Sequence, residues 1–178
     1  MYGDGSVTGK ISIALSKVEA VIELHVASFA DLDTATLYAI LQLRCDVFIV
    51  EQECAYPDID GRDTDPATRH LWLTAASAPP TSAAAAAAAK LLAYLRILDD
   101  PDGAARIGRV CVARDARRTG HAATLMARAL DLIGAGRDAV LDAQTYATRL
   151  YEDAGFVPDG EEFLDDGIMH VPMRRMAQ

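Results

Sequence analysis

The sequence predicts one mixed α/β domain, and three observations predict it. Patterned segments follow in the order strand, helix, strands, helix, strand, helix, hairpin, a mixture that belongs to α/β and α+β domains. The chain has 178 residues and is 51% hydrophobic, enough to fill a single core. Glycines stand where helices must stop, at Gly134, Gly136 and Gly155.

Residues 1–20 carry little pattern and read as a leader ahead of a domain spanning 21–178. Residues 21–26 alternate apolar and polar side chains, as a half-buried strand does. Asp33 or Thr34 caps a helix beginning near Ala35, in which Leu37, Ile40, Leu41 and Arg44 keep helical spacing. The apolar run continues through Val47, Phe48 and Val50, and a polar loop full of turn formers follows. Two strands, near 70–75 and 91–98, pair across a low-complexity insert of prolines and alanines at 78–90. Alanine favours helix, but this run is too short to hold one alone. A turn at 99–103 leads to a strand over 106–113 and a helix over 120–133. A short buried strand at 139–143 and a helix at 148–154 come next. The Asp166-Gly167 turn between apolar runs marks a closing hairpin.

A formal net charge of −9 argues against nucleic acid as a partner and suits a cationic substrate. No apolar stretch is long enough for a membrane span or a secretory leader, so a cytoplasmic protein without membrane contact is expected. Cys45, Cys54 and Cys111 are odd in number and widely spaced. They form neither a disulfide framework nor a zinc motif, so reduced thiols and no metal are expected.

The chemistry concentrates in residues 106–130. A strand ends at Ala113, a basic loop carries Arg114, Arg117 and Arg118, and Thr119-Gly120-His121-Ala122-Ala123 opens a helix. The first turn of a helix leaves N–H groups unpaired at the positive end of its dipole, and small residues let an anion reach them. A Walker A loop would need Gly-Lys-Ser/Thr, and a dinucleotide fold would need Gly-x-Gly-x-x-Gly after the first strand; both are absent.

The run Arg117-Arg118-Thr119-Gly120-His121-Ala122 resembles the R/Q-x-x-G-x-G/A pyrophosphate loop of the GNAT acetyltransferases. Downstream, Tyr151 to Phe156 resembles the Y-x-x-x-G-F helix end of the same superfamily. The stretch LQLRCDVFIVEQECAYPDIDGRD at 41–63 resembles the signature of its ElaA-like branch. Arg69-His70, residues 93–98, residues 107–110, Ala143-Gln144 and residues 166–170 also fit that branch. This resemblance covers about residues 34–175. The leader, the alanine insert and Ala122, where many relatives carry glycine, depart from it.

The resemblance implies a mixed, mostly antiparallel sheet flanked by helices, and acetyl-CoA as co-substrate. It also implies a small amine or protein amine as acceptor; a homodimer and a CoA-binding sensor without turnover stay open. It assigns CoA to Val110, Cys111, Val112, Arg117, Arg118, Thr119, Gly120, His121, Ala122, Ala123, Gln144 and Tyr151. Tyr151 is implied as the acid that protonates the leaving sulfur, its phenol being protonated near neutral pH. A backbone N–H at a bulge within 110–112 is expected to hold the thioester oxygen. The strand 106–113 offers no carboxylate as base, which leaves Glu51, His70, His170 or a water. Glu51, Glu53, Asp58, Asp60 and Asp63 are expected to form an acidic wall that draws in a cationic amine.

Overall fold

A computed structural model describes residues 9–11, 21–76 and 90–178. The strands are β1 (Gly9–Ile11), β2 (Val21–Ala27), β3 (Arg69–Ala76), β4 (Lys90–Asp99), β5 (Ala105–Val112), β6 (Ala139–Gln144), β7 (Val157–Pro158), β8 (Phe163–Asp165) and β9 (Ile168–Arg175). The helices are α1 (Thr34–Arg44), α2 (His121–Ile133) and α3 (Thr148–Glu152). Among the described residues one sheet of nine strands runs β1-β2-β3-β4-β5-β6-β9-β7, with β8 also paired to β9. Every described pairing is antiparallel except β5 with β6.

Strand β4 is buried from Leu92 through Leu98, so it is covered on both faces. Side chains alternate across a strand, and the two faces have separate cores. Ala93, Leu95 and Ile97 pack with Leu125, Met126 and Ala129 of α2. Tyr94 packs on the other side with Ile40 and Leu43 of α1 and with Val47 and Phe48. Each large apolar side chain buried in this way contributes about 1.5–3 kcal/mol. The helices therefore hold the middle strands rigid from both sides, and the site lies where those strands part.

Asp33 caps α1, its carboxylate accepting from Thr36 N at 2.8 Å. Beyond Arg44 the chain widens into a π-helical turn, Cys45–Glu51, closed by Gln52 N–H donating to Val47 O at 3.1 Å. The sequence showed an apolar run there without revealing the extra residue per turn. Helix α3 ends in a Schellman motif. Gly155 takes φ of 87°, its N–H donates to Glu152 O at 2.9 Å, and Phe156 N–H donates to Tyr151 O at 3.0 Å. The apolar contact that completes such a cap is Phe156 edge-on to Tyr151, ring centres 6.4 Å apart. The Y-x-x-x-G-F pattern is thus a helix cap whose packing fixes the tyrosine.

Several expectations are corrected. Part of the anticipated leader, Gly9–Ile11, is a strand paired with β2. The short strand β7, which pairs Val157 with Arg174, went unanticipated. Helix α3 stops at Glu152, two residues short of Ala154, because its last turn goes into the cap. The rest of the leader, and the insert up to residue 89, lie outside the described residues. Among the described residues no helix is long and apolar enough to cross a membrane.

Candidate active site

Strands β5 and β6 pair only at Ala105 with Ala139 and at Arg106 with Val140. Beyond Arg106 they separate. The cause lies on the other edge of β5, where Arg109 and Val110 together oppose the single residue Leu95 of β4. That bulge bends β5 away from its parallel neighbour. The expected bulge is therefore real and begins at Arg109, one residue before the stretch 110–112. Ala113 N–H bonds back to Leu92 O at 2.8 Å, so by alternation the N–H groups of Val112 and Val110 face the split.

A cavity of about 620 Å³ fills the split. Its wall includes Val110, Val112, Arg117, Ala122, Leu150 and Tyr151 toward the α2 loop, and Asp60, Asp165, Asp166 and His170 among its polar groups. Tyr151 is 8% exposed, and its hydroxyl has no hydrogen-bond partner among the described residues. Burial pushes the Tyr151 phenol above its ordinary value, so it is protonated at neutral pH.

The loop before α2 carries two left-handed residues, Arg118 at φ of 62° and Gly120 at 86°. Gly120 is the N-cap residue of α2, and no side chain caps that end. A Cβ built on Gly120 would meet nothing within 4 Å, so the approach to these amides is open. Ala122 reaches the cavity; Arg118, Thr119, Gly120, His121 and Ala123 are not in its wall. Thr119 Oγ1 instead closes the loop by donating to Ala116 O at 2.6 Å. Arg117 folds back, its Nε donating to Val112 O at 3.1 Å and its Nη2 to Glu51 Oε2 at 2.7 Å.

Of the three side chains expected as base, two are otherwise engaged. His70 is 1% exposed and absent from the cavity wall. Its Nε2–H donates to Asp63 O at 3.0 Å, which leaves Nδ1 to accept from Tyr94 Oη at 2.7 Å. Burial lowers its pKa and keeps it neutral. Glu51 reaches the cavity, but the Arg117 hydrogen bonds hold its pKa below the usual carboxylate range, which weakens it as a base. His170 lies in the wall, Nδ1 bonded to Ile168 O at 2.9 Å and the ring stacked on Phe163 at 5.8 Å. Its Nε2 has no partner among the described residues.

The acidic wall is corrected too. Asp58 and Asp63 are buried, at 9% and 5% exposure, and Asp60 joins them in a network with arginines. Arg44, fully buried, bonds Asp58 Oδ2 and Asp63 at 2.9 Å each. Arg96, also buried, bonds Asp63 at 2.9 Å and Asp60 at 2.8 Å. Arg109 Nε lies 2.7 Å from Asp58 Oδ1, at an angle too bent for a directional hydrogen bond. Three aspartates and three arginines neutralise one another. Burial alone would raise the Asp63 pKa, but Arg44 and Arg96 overcome this and hold it low. Cavity carboxylates outside this network include Asp165 and Asp166, which make no ion pair among the described residues.

Sequence reasoning missed Gln52 and Tyr146. The carboxamides of Gln52 and Gln144 bond reciprocally at 3.1 and 3.2 Å, and Gln52 also donates to Tyr146 Oη at 3.0 Å. Tyr146 follows the carboxyl end of β6, where loops gather function, and that position was the available signal. Gln52 owes its place to the π-turn, which no periodicity announces. Cys111 is buried, its thiol pushed up to about 12 by burial, in keeping with an inert structural thiol.

Residues 76–177 match the profile described as Acetyltransferase (GNAT) domain. The UPF0039 protein Rv2851c of Mycobacterium tuberculosis is 45% identical over 148 residues, 82% of this chain and 87% of that protein. Protein ElaA of Escherichia coli is 35% identical over 159 residues, 86% of this chain and 96% of its own. Among solved structures, an acyl-CoA N-acyltransferase from Pseudomonas aeruginosa superposes with a TM-score of 0.74 at 37% identity, covering 87% of this chain and 99% of that one. The ElaA crystal structure superposes equally well, with a TM-score of 0.74 at 34% identity over 87% and 99% of the two chains. A split sheet, an uncapped helix end beside it and relatives that agree over nearly their whole length lead to one conclusion: this chain belongs to the GNAT acetyltransferase family, in its ElaA-like branch.

Proposed function

We propose that this chain transfers an acetyl group from acetyl-CoA to a primary amine on a cationic small molecule or protein. The observation that carries the reading is the cavity in the β5–β6 split, whose wall brings together Arg117 and Ala122 beside the start of α2, Val110 and Val112 of β5, and Tyr151. Residues of this chain fit the co-substrate. The uncapped N–H groups of His121, Ala122 and Ala123 suit a pyrophosphate, helped by the exposed Arg114 and Arg118. In this reading Val110 and Val112 offer strand pairing to the pantetheine arm, and a bulge N–H bonds the thioester oxygen as charge builds.

His170 accepts a proton from the ammonium at Nε2, directly or through a water, because an ammonium has no lone pair to attack with. The amine nitrogen then bonds the thioester carbon, the carbon–sulfur bond breaks, and Tyr151 gives its proton to the leaving thiolate. Solvent returns a proton to Tyr151, and it removes both the proton on His170 and the second proton that the nitrogen sheds as the amide forms. Asp165 and Asp166, at the cavity and free of ion pairs among the described residues, favour a cationic amine over an acid. A cytoplasmic setting, with its acetyl-CoA supply, fits this reaction. The test is thiol release from acetyl-CoA against a panel of polyamines, aminoglycosides, amino acids and peptides. Release with cationic amines above the rate in buffer supports the reading. Binding of acetyl-CoA without release by any amine points instead to a CoA-binding sensor.

A further inference from the structure

Arg109 adopts a backbone conformation that L side chains rarely take. Its φ of 54° lies in the left-handed region, and it is the first of the two residues that bulge opposite Leu95. Such strain persists only where the surroundings over-determine it. Here they do. Arg109 Nε lies 2.7 Å from Asp58 Oδ1, Nη2 donates to Asp58 O at 3.1 Å, and the guanidinium stands 5.1 Å from the Tyr56 ring centre. Tyr56 Oη donates to the same Asp58 Oδ1 at 2.7 Å, and Arg44 holds the other oxygen at 2.9 Å. Asp63 bridges Arg44 to Arg96 of the neighbouring strand β4, at 2.9 Å on each side. The network thus runs from the core out through loop residues 56–63 and ends on one backbone position of β5.

We infer that Arg109 is a positioning residue for acyl transfer: held by Asp58 and Tyr56, it locks the β5 bulge and so aims the Val110 and Val112 N–H groups into the split. This rests on the split being the acyl-transfer site. It gives the acidic loop a role other than attraction of the acceptor, namely an anchor for the strand that binds the thioester.

The deciding variant is Arg109→Gly, because glycine takes the left-handed conformation freely and only the side-chain tether is lost. Hydrogen exchange of the ligand-free protein is expected to quicken by at least about tenfold in residues 107–113 and to stay unchanged in residues 69–76. Thiol release from acetyl-CoA, with the best amine of the panel, is expected to fall at least about tenfold in kcat while CoA affinity stays within about threefold. Arg109→Lys, which keeps a cation beside Asp58, is expected to recover part of the rate. Exchange that loosens with parental kcat overturns the inference, and so does a slow enzyme with unchanged exchange, which would make Arg109 a direct participant. Should Arg109→Gly not fold, Tyr56→Leu takes the ring from beneath the guanidinium and is read by the same two outcomes. A parent that releases no thiol with any amine overturns the underlying reading, while exchange still decides whether Arg109 holds the bulge.

Discussion

Residues 56–63 and residues 113–122 are both rich in charge, and they use it in opposite ways. In the first loop Asp58, Asp60 and Asp63 are matched with Arg44, Arg96 and Arg109, and most of those groups leave water. In the second, Arg114 and Arg118 stay exposed without an ion pair among the described residues, while Arg117 is tied to Glu51 and Asp115 to Lys90. The first loop holds the protein together through side chains. The second leaves the backbone amides at the start of α2 without a side-chain cap and keeps Arg114 and Arg118 at the surface. A count of charges along the sequence cannot separate these cases; burial separates them.

The largest effect should come from the buried side of the comparison. Arg44→Met strands Asp58 and Asp63 without their shared cation, and breaking such a pair costs about 3–5 kcal/mol. A chain of this size should then lose on the order of 10 °C in Tm. Arg118→Met, at the exposed loop, should stay within about 0.5 kcal/mol of the parent in urea unfolding. Equal losses from the two would erase the distinction.

Next in size is Tyr151→Phe. The ring keeps its contact with Phe156, so the fold and CoA affinity should hold. Turnover should fall by about 10²-fold or more if the hydroxyl protonates the leaving sulfur. Parental turnover, with chemistry shown to be rate-limiting, would remove that role.

Acid should weaken the ion pairs of the buried loop. The folded pKa of Asp63 lies below its ordinary 3.8, so its stabilisation is complete above that value and is lost as pH falls through the folded one. Asp63→Asn should therefore be less stable than the parent by about 2 kcal/mol near pH 7. The gap should close only below about pH 3.8, where the parent's own carboxyl takes up its proton. Thermal melts of both proteins between these limits check it; a gap that closes near neutrality would assign the effect to another group.

Gly120→Asp probes the exposed side more gently. Aspartate tolerates the left-handed conformation better than most residues, and its side chain meets open space, so the fold should hold. Its charge beside the proposed pyrophosphate should weaken CoA by at least about tenfold, near 1.4 kcal/mol. Calorimetry giving equal affinity would move the pyrophosphate elsewhere.

The same comparison explains what the sequence made legible. The α2 loop and the cap at Gly155 are local, built within a few residues, so their motifs carried them through to the structure. The charge network joins residues as far apart as Arg44 and Arg96, and pattern along the chain says nothing of such pairings. Asp58, Asp60 and Asp63 therefore looked like solvent-facing attractants. His70 looked like a base for the same reason: its partners, Asp63 O and Tyr94 Oη, come from another loop and another strand. The π-turn hid Gln52, because one extra residue leaves hydrophobic spacing almost unchanged. The bulge was foreseen from the family resemblance, but its start at Arg109 was not, since a left-handed arginine contradicts local preference and is held there by tertiary contacts.

The most direct test of the account is an amide hydrogen-exchange footprint of acetyl-CoA at about 1 mM, well above typical cofactor affinities. Exchange should slow in residues 110–112 and 119–123, with residues 56–63 unchanged beyond any global stabilisation. Protection centred on residues 56–63, or none at all, would contradict it.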